Sequence, residues 1–228
     1  LVKGVNFIGL KELGDPAESG AAYSEAGADE IVFLDITATP EGRRTFIKAV
    51  RQVAARINVP LTVGGGVGSL RHIEELRAAG ASRCAVNTAA VRRPGLVREA
   101  AEEFGSEAVV VAIDTRASES APSGFEVVVG GGRVPTGMDA VEWARRVEGL
   151  GAGTILPTSM DADGTKAGYG IPMTRAVSDA VKIPVIASGG AGTLEHLYDG
   201  IAEGHADAVL VASIAHYGTY TIRQMKEY

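Results

Sequence analysis

The chain has little of what membrane, secreted or nucleic-acid-binding proteins need. Cys84 is the single cysteine among 228 residues, so no disulfide can form within the chain. No apolar run approaches the ~18 residues that a membrane helix requires, and no secretory signal is recognisable. Lys and Arg number 22 against 28 Asp and Glu, a net charge of −6, which excludes the basic patch of a nucleic-acid footprint. These absences predict a soluble cytoplasmic protein without nucleic-acid or membrane partners.

Glycine, by contrast, is abundant, and two glycine-rich stretches repeat each other. Residues 60–72 and 184–196 are offset by 124 residues, a little over half the chain. Each stretch is a short apolar run, then a glycine cluster, then a Ser or Thr that opens a helical pattern. The backbone N–H groups of such a turn, with the N-terminal end of the following helix, bind anions. An internal duplication carrying two such turns predicts a ligand with two phosphates.

Apolar runs and helical patterns alternate along the whole chain. Continuous apolar runs predict strands buried on both faces, and Asp15-Pro16 with Glu18 is typical of a helix start. Residues 1–14 are predicted to be a loop, and a β-hairpin is predicted within 115–137. Strands are predicted at 30–35, 60–63, 83–87, 108–114, 154–158, 183–187 and 207–212. Helices are predicted at 15–26, 40–58, 69–80, 94–104, 139–150, 172–181, 194–203 and from about 219.

This alternation predicts an α/β fold, a single (βα)8 TIM barrel over residues 1–228 with an internal half-barrel duplication. Seven strands are an odd number for a duplicated barrel. Under the 124-residue offset, the strand that ends at Asp114 has no counterpart, because its partner would precede residue 1. We therefore expect that about fifteen residues carrying the first strand are absent from this chain, and that an eighth strand closes the barrel.

The active site of such a barrel lies at the C-terminal ends of its strands. Polar and glycine residues predicted there form two phosphate cradles with carboxylates between them, which indicates acid–base chemistry on a bis-phosphorylated, sugar-like substrate. A glycine cluster after a strand is also an ordinary tight turn, and Asp35 is equally explained as a cap. The predicted residues are Asp35, Gly64–Gly66, Asn87, Thr88, Asp114, Thr158, Asp161, Asp163, Ser188, Gly189, Gly190, Ala212 and Ser213. Cys84 and Trp143 are expected in the core, and His72 and His196 on the outer helices.

At these positions the sequence resembles the cyclase subunit of imidazole glycerol phosphate synthase. The resemblance covers the chain in order. Its motifs are Val2-Lys3-Gly4-Val5-Asn6-Phe7, Phe33-Leu34-Asp35-Ile36-Thr37-Ala38, Thr62-Val63-Gly64-Gly65-Gly66, Val86-Asn87-Thr88-Ala89-Ala90-Val91, Ala112-Ile113-Asp114, Thr158-Ser159-Met160-Asp161-Ala162-Asp163-Gly164-Thr165-Lys166, Ile186-Ala187-Ser188-Gly189-Gly190-Ala191-Gly192 and Ala212-Ser213.

The resemblance implies a lyase of histidine biosynthesis with neither cofactor nor metal. Such an enzyme takes ammonia through the barrel from a partner glutaminase, which binds the N-terminal face of the barrel as a heterodimer. It converts a bis-phosphorylated formimino-carboxamide ribulosyl nucleotide into imidazole glycerol phosphate and an aminoimidazole carboxamide ribotide. Both ends of this substrate carry phosphate, in agreement with the two predicted cradles.

The resemblance also assigns roles to individual residues. Asp114 matches the general acid, and the general base is implied on the first strand, before residue 1. Thr158 and Asp161 line the site, and Lys3 belongs to a mobile loop. One phosphate site takes Gly66, Asn87 and Thr88; the other takes Gly164, Gly190 and Ser213 with Asp163 nearby, beside Ser188, Gly189 and Ala212.

The expected ammonia gate at the bottom of the barrel departs from the family pattern. Glu30 and Arg83 match it, but Thr154 stands where a Glu is usual, and Gly170 replaces an acid after Tyr169. The sister isomerase of the same pathway is the alternative, because it shares the two-phosphate barrel and an Asp-Gly-Thr loop. A third hypothesis is an inactive phosphate-binding barrel fragment with two unpaired strand edges.

Overall fold

A computed structural model of the chain describes residues 2–5, 8–12, 14–35, 38 and 45–228; for residues 2–5 and 8–12 it describes the backbone alone. None of the described helices is long and apolar enough to cross a membrane. Outside the described part lie the predicted helix start at Pro40, the resemblance residues Asn6, Phe7, Ile36 and Thr37, and the side chain of Lys3.

The described strands, in chain order, are β1 (Val2–Val5), β2 (Ile8–Glu12), β3 (Ile31–Leu34), β4 (Leu61–Gly64), β5 (Arg83–Val86), β6 (Val109–Ala117), β7 (Phe125–Val129), β8 (Val134–Asp139), β9 (Thr154–Ser159), β10 (Ile186–Ala187) and β11 (Ala208–Val209). The described helices are α1 (Pro16–Glu25), α2 (Ile47–Ala54), α3 (Leu70–Ala78), α4 (Thr88–Arg92), α5 (Gly95–Phe104), α6 (Ala140–Gly149), α7 (Ile171–Ser178), α8 (Leu194–Ala202), α9 (Ser213–His216) and α10 (Ile222–Glu227), with a 3-10 turn at Ser106–Ala108.

Seven of the described strands run parallel, in chain order. β3, β4, β5, β6 and β9 pair in succession, and β10 pairs with β11. Two parallel bridges, Ile155 with Val185 and Thr158 with Ser188, join β9 to the β10 segment. A parallel sheet whose strands alternate with helices is the (βα)8-barrel architecture, so the predicted fold class is confirmed.

The core has the two layers that this architecture requires. Because alternate residues of a strand point to opposite faces, Val109, Val111 and Ile113 of β6 pack in the large cluster that includes residues of the surrounding helices. Val110 of β6 packs instead with Leu156, in a smaller cluster that also holds Ala85. Cys84 and Trp143 are buried in the larger cluster, as the sequence predicts.

The duplication is visible at the level of helix capping. Ser69 accepts a hydrogen bond from the backbone N–H of His72, and Thr193 accepts the equivalent bond from the N–H of His196. In both copies the histidine Nδ1 accepts from the glycine turn, at 3.2 Å from Gly68 N and at 3.1 Å from Gly192 N. The two histidines lie on helices, as predicted, and they also fix the glycine turns, a role that the sequence did not indicate.

Two parts of the sequence-based assignment need correction. Residues 1–14 were expected to be a loop, but β1 and β2 pair antiparallel within them. The predicted hairpin forms as β7 and β8, and it also pairs with the outer half of β6, from Asp114 opposite Val128 to Ala117 opposite Phe125. This pairing extends β6 to Ala117, three residues beyond the predicted end of the strand at Asp114.

The barrel wall is least complete between β11 and β3. Among the described residues neither strand pairs on its outer side. Both strands line one cavity of about 770 Å³, which reaches from Glu30 at one end to Thr158 at the other. The eighth strand expected before residue 1 stays a prediction.

Candidate active site

Asp114 lies on β6, the fourth of the seven parallel strands, opposite Thr158 of β9. Its side chain is buried. Loss of contact with water raises the pKa of the Asp114 carboxyl from 3.8 to about 7, a hydrogen bond from the Asn87 side chain opposes this rise, and the charge of Asp163 adds to it. A carboxyl with this pKa exchanges a proton readily near neutral pH, which is the property required of a general acid.

Asp163 and Thr158 are held against the glycine turn of the second repeat. Both side chains are buried. The backbone N–H of Asp163 donates to the Ser159 carbonyl at 2.9 Å, one turn after β9 ends. Gly189 has φ +89°, and a Cβ on it would lie 2.8 Å from the Ser159 carbonyl and 3.4 Å from the Asp163 Cβ. Only glycine allows this close approach, and the approach brings Asp163 to the strand ends.

The second predicted cradle forms one pocket. Its lining consists of residues from three loops: Asp163, Gly164, Lys166, Gly189, Gly190, Ala191, Leu210, Ala212 and Ser213. A 2.9 Å hydrogen bond from the N–H of Gly168 to the carbonyl of Gly190 ties the loop after β9 to the loop after β10. Ser188 lies beside them, buried, with its carbonyl accepting from Ser159 N at 3.2 Å. The structure therefore brings together every residue predicted for this cradle, and it adds Lys166.

The first predicted cradle follows two paired strands. Gly66 comes after β4, and Asn87 and Thr88 come after β5, its parallel neighbour. Gly65 has φ +93°, and a Cβ there would lie 2.1 Å from the Asp35 carbonyl oxygen, so only glycine fits. The N–H of Gly130, in the turn between β7 and β8, donates to the Thr88 hydroxyl at 3.0 Å. The turn of the hairpin thus contacts this cradle.

Asp35 and Asp161 differ from Asp114 in their surroundings. Asp35 is buried at the end of β3, and its backbone N–H donates to the Gly64 carbonyl at 2.9 Å. The Asp161 carboxylate accepts from the backbone N–H of Ala117 at 2.8 Å. Asp161 therefore fastens the loop after β9 to the end of β6, a structural function that the sequence did not indicate.

A polar cluster lies at the opposite, N-terminal ends of the strands. Arg83 Nη1 lies 2.7 Å from Glu30 Oε2, and these side chains are 33% and 20% exposed. The hydroxyl of Thr62 donates to the other Glu30 oxygen. Thr154 is buried at the start of β9, on the same side of the barrel. The two residues predicted for an ammonia gate are thus in contact, and Thr62 is a member that the motifs did not single out.

A buried carboxyl with a pKa near 7, glycine turns and polar strand ends at one mouth of a parallel barrel define a (βα)8-barrel enzyme. A family model described as "Histidine biosynthesis protein" matches residues 1–221. The chain therefore belongs to this family of histidine-biosynthesis TIM-barrel enzymes, whose members include the isomerase and the cyclase of the pathway. The match does not distinguish between the two.

Proposed function

We propose that the chain is the cyclase subunit of imidazole glycerol phosphate synthase. The observation that carries the proposal is Asp114, a buried carboxyl with a pKa of about 7, at a mouth that also bears both glycine cradles. Family membership supplies the pathway. The contact between Glu30 and Arg83, at the end of the barrel where the resemblance implies that ammonia enters, favours the cyclase over the isomerase.

In this proposal the two cradles hold the two phosphates of the ribulosyl nucleotide. Gly66, Asn87 and Thr88 bind one phosphate, and Gly164, Gly190 and Ser213 bind the other. Ammonia adds to the ribulosyl ketone, whose oxygen leaves as water. As the imidazole ring then closes, Asp114, between the two cradles, gives a proton to the substrate nitrogen that departs with the carboxamide ribotide. The side chain of Asn87 donates to Asp114, and so orients the carboxyl that carries this proton. The general base is proposed on the first strand, before residue 1.

The N-terminal end of the barrel is the proposed docking face for a glutaminase that supplies ammonia in the cytoplasm. Glu30 and Arg83 stand at this end as the ammonia gate. Thr154 is smaller than the Glu usual at its position and carries no charge. Of the expected gate, the described residues therefore keep the contact between Glu30 and Arg83, and in this proposal that contact controls the passage of ammonia.

The test is a turnover assay with ammonium salts and a form of the protein that includes the proposed first strand. The cyclase substrate should yield imidazole glycerol phosphate and the carboxamide ribotide, and the ribosyl isomer should not be converted. Conversion of the isomer alone would identify the isomerase. Turnover of neither substrate, with both bound, would support the phosphate-binding scaffold.

Asp114→Asn in the same assay should lower kcat by about 10²–10⁴ with little change in KM. Asp179→Asn is the matched control, because Asp179 lies at the C-terminal end of α7 and pairs with His205 outside the mouth. Near wild-type turnover of Asp114→Asn would remove Asp114 as the acid.

A further inference from the structure

The loop between β9 and α7 places a lysine at the rim of the second cradle. Lys166 lines the same pocket as Gly164, Gly190 and Ser213. It is the one cation among the residues that line this pocket, whose wall also contains the buried carboxyl of Asp163. An ammonium group at this rim would attract a phosphate dianion and offset the repulsion from a carboxylate in the same wall.

The backbone of Lys166 is fixed by the glycine turn of the second repeat. Lys166 has φ +62°, a left-handed conformation that an ordinary side chain adopts only against steric strain. A Cβ on Gly192 would lie 2.0 Å from the Lys166 carbonyl oxygen, so the two backbones are in close contact. The lysine is therefore held at this place by the same turn that forms the cradle.

The side chain of Lys166 is oriented by an aromatic ring. Its Nζ lies 4.8 Å from the centroid of the Tyr217 ring, a cation–π contact. Tyr217 follows the cradle residue Ser213 by one helical turn, and its N–H donates to the Ser213 carbonyl at 3.0 Å. No described carboxylate forms an ion pair with Lys166.

We propose that Lys166 is a phosphate ligand of the second cradle and that Tyr217 is its positioning residue. The ring holds the ammonium group at the rim without neutralising its charge. Because the lysine side chain is already ordered, it loses less conformational entropy when phosphate binds. This inference deepens the proposed function, because it presupposes that the second cradle binds a phosphate group.

The test is a titration of the chain with inorganic phosphate, followed through the ¹⁵N amide resonances of Gly164, Gly190 and Ser213. These signals report the second cradle alone, and they require no turnover. Lys166→Met should weaken phosphate binding there roughly five- to tenfold and flatten its dependence on salt concentration. Lys182→Met, an equal change of net charge in the connection that precedes β10, should leave the affinity unchanged.

Four further variants separate charge from structure. Lys166→Arg should retain the affinity to within about twofold, because a cation is preserved. Lys166→Gly relieves the left-handed strain but removes the cation, so its affinity should fall as in Lys166→Met without loss of Tm. Tyr217→Phe should bind phosphate as the wild type does, whereas Tyr217→Leu should bind roughly two- to fourfold more weakly.

Unchanged affinity in Lys166→Met and Lys166→Gly would overturn the inference, as would a wild-type chain whose three amides do not respond to phosphate. Phosphate binding that depends on Lys166, in a protein that turns over neither substrate, would instead refute the proposed function and leave this inference standing.

Discussion

Replacing Asp114 by Asn should lower kcat and, as the pH rises from about 4 to about 7, should make the protein increasingly more stable than the wild type. Burial raises the folded-state pKa of Asp114 from 3.8 to about 7, so the folded protein holds this proton more tightly than the unfolded chain does. The stability contributed by the proton is complete below the unfolded pKa and is lost as the pH rises through the folded pKa. Asn carries no such proton, keeps the shape of the side chain and can still accept from Asn87.

The size of the effect follows from the shift. A difference of about 3 pKa units corresponds to roughly 4 kcal/mol, of which roughly 3 kcal/mol falls between about pH 4.5 and about pH 8.5. The stability of Asp114→Asn relative to the wild type should therefore increase by up to this amount across the interval. The pH dependence of this stability difference reports the titration of Asp114, because the other effects of the substitution on the free energy of unfolding do not vary with pH in this way.

Urea unfolding of both proteins at several pH values measures this difference. Asp139→Asn serves as a control of opposite sign. Burial of the Asp139 carboxyl raises its pKa, but hydrogen bonds from Ser123, Val141 and Glu142 outweigh burial and hold the pKa below its usual value. The stability that its charge contributes is complete above the unfolded pKa of 3.8 and is lost as the pH falls through the lower folded pKa. The deficit of Asp139→Asn should therefore grow with pH only below about pH 4.5 and stay constant across the interval in which Asp114 titrates. A stability difference for Asp114→Asn that stays constant with pH would refute the argument from burial.

Two more predictions follow, one from the close packing of a glycine turn and one from the burial of Cys84. Gly190→Ala should lower the free energy of unfolding by more than about 2 kcal/mol, because its Cβ would lie 2.0 Å from the Gly168 carbonyl oxygen. Gly137→Ala, with φ +71° and no atom within 4 Å of the added Cβ, should lose only about 1 kcal/mol, and equal losses in urea unfolding would contradict the packing argument. Cys84 should not react with a disulfide reagent at about pH 8 until the protein unfolds, since burial raises its thiol pKa to about 12; rapid labelling of the native chain would contradict this.

The order of the parallel strands and the duplication could be predicted from the sequence because both have local signals. Continuous apolar runs such as Val109–Ile113 give a buried strand regardless of what packs against it. The caps at Ser69 and Thr193 need only the residues that follow them. β1 and β2 were missed because Gly4 and Gly9 interrupt the alternation of side chains, and antiparallel pairing between the two strands compensates for weak local preference.

The chemistry of the site was predicted less completely. The motifs marked Asp114 as a strand-end carboxyl, but its pKa depends on burial and on Asp163, which lies 49 positions further along the chain. The functions of Lys166 and Thr62 could not be predicted from sequence periodicity, because each residue acts through a contact that forms only when the loops and strands are assembled. Resemblance can transfer the residues that a family shares, but not contacts such as that between Lys166 and Tyr217.

The two cradles show why duplication alone does not make two equal sites. Their glycine turns and capped helices match at an offset of 124 residues, so both cradles offer the same kind of backbone N–H groups. The sequences of the loops beside them differ. The first cradle is covered by the hairpin, through Gly130 on Thr88. The second cradle contains Lys166, and the residue 124 positions before it in the sequence is Gly42. In the proposed function, turn geometry therefore sets where the two phosphates bind, and the residues of the loops make the two positions chemically different. An asymmetric substrate with a phosphate at each end requires that difference if it is to bind in a single orientation, with its reacting atoms at Asp114.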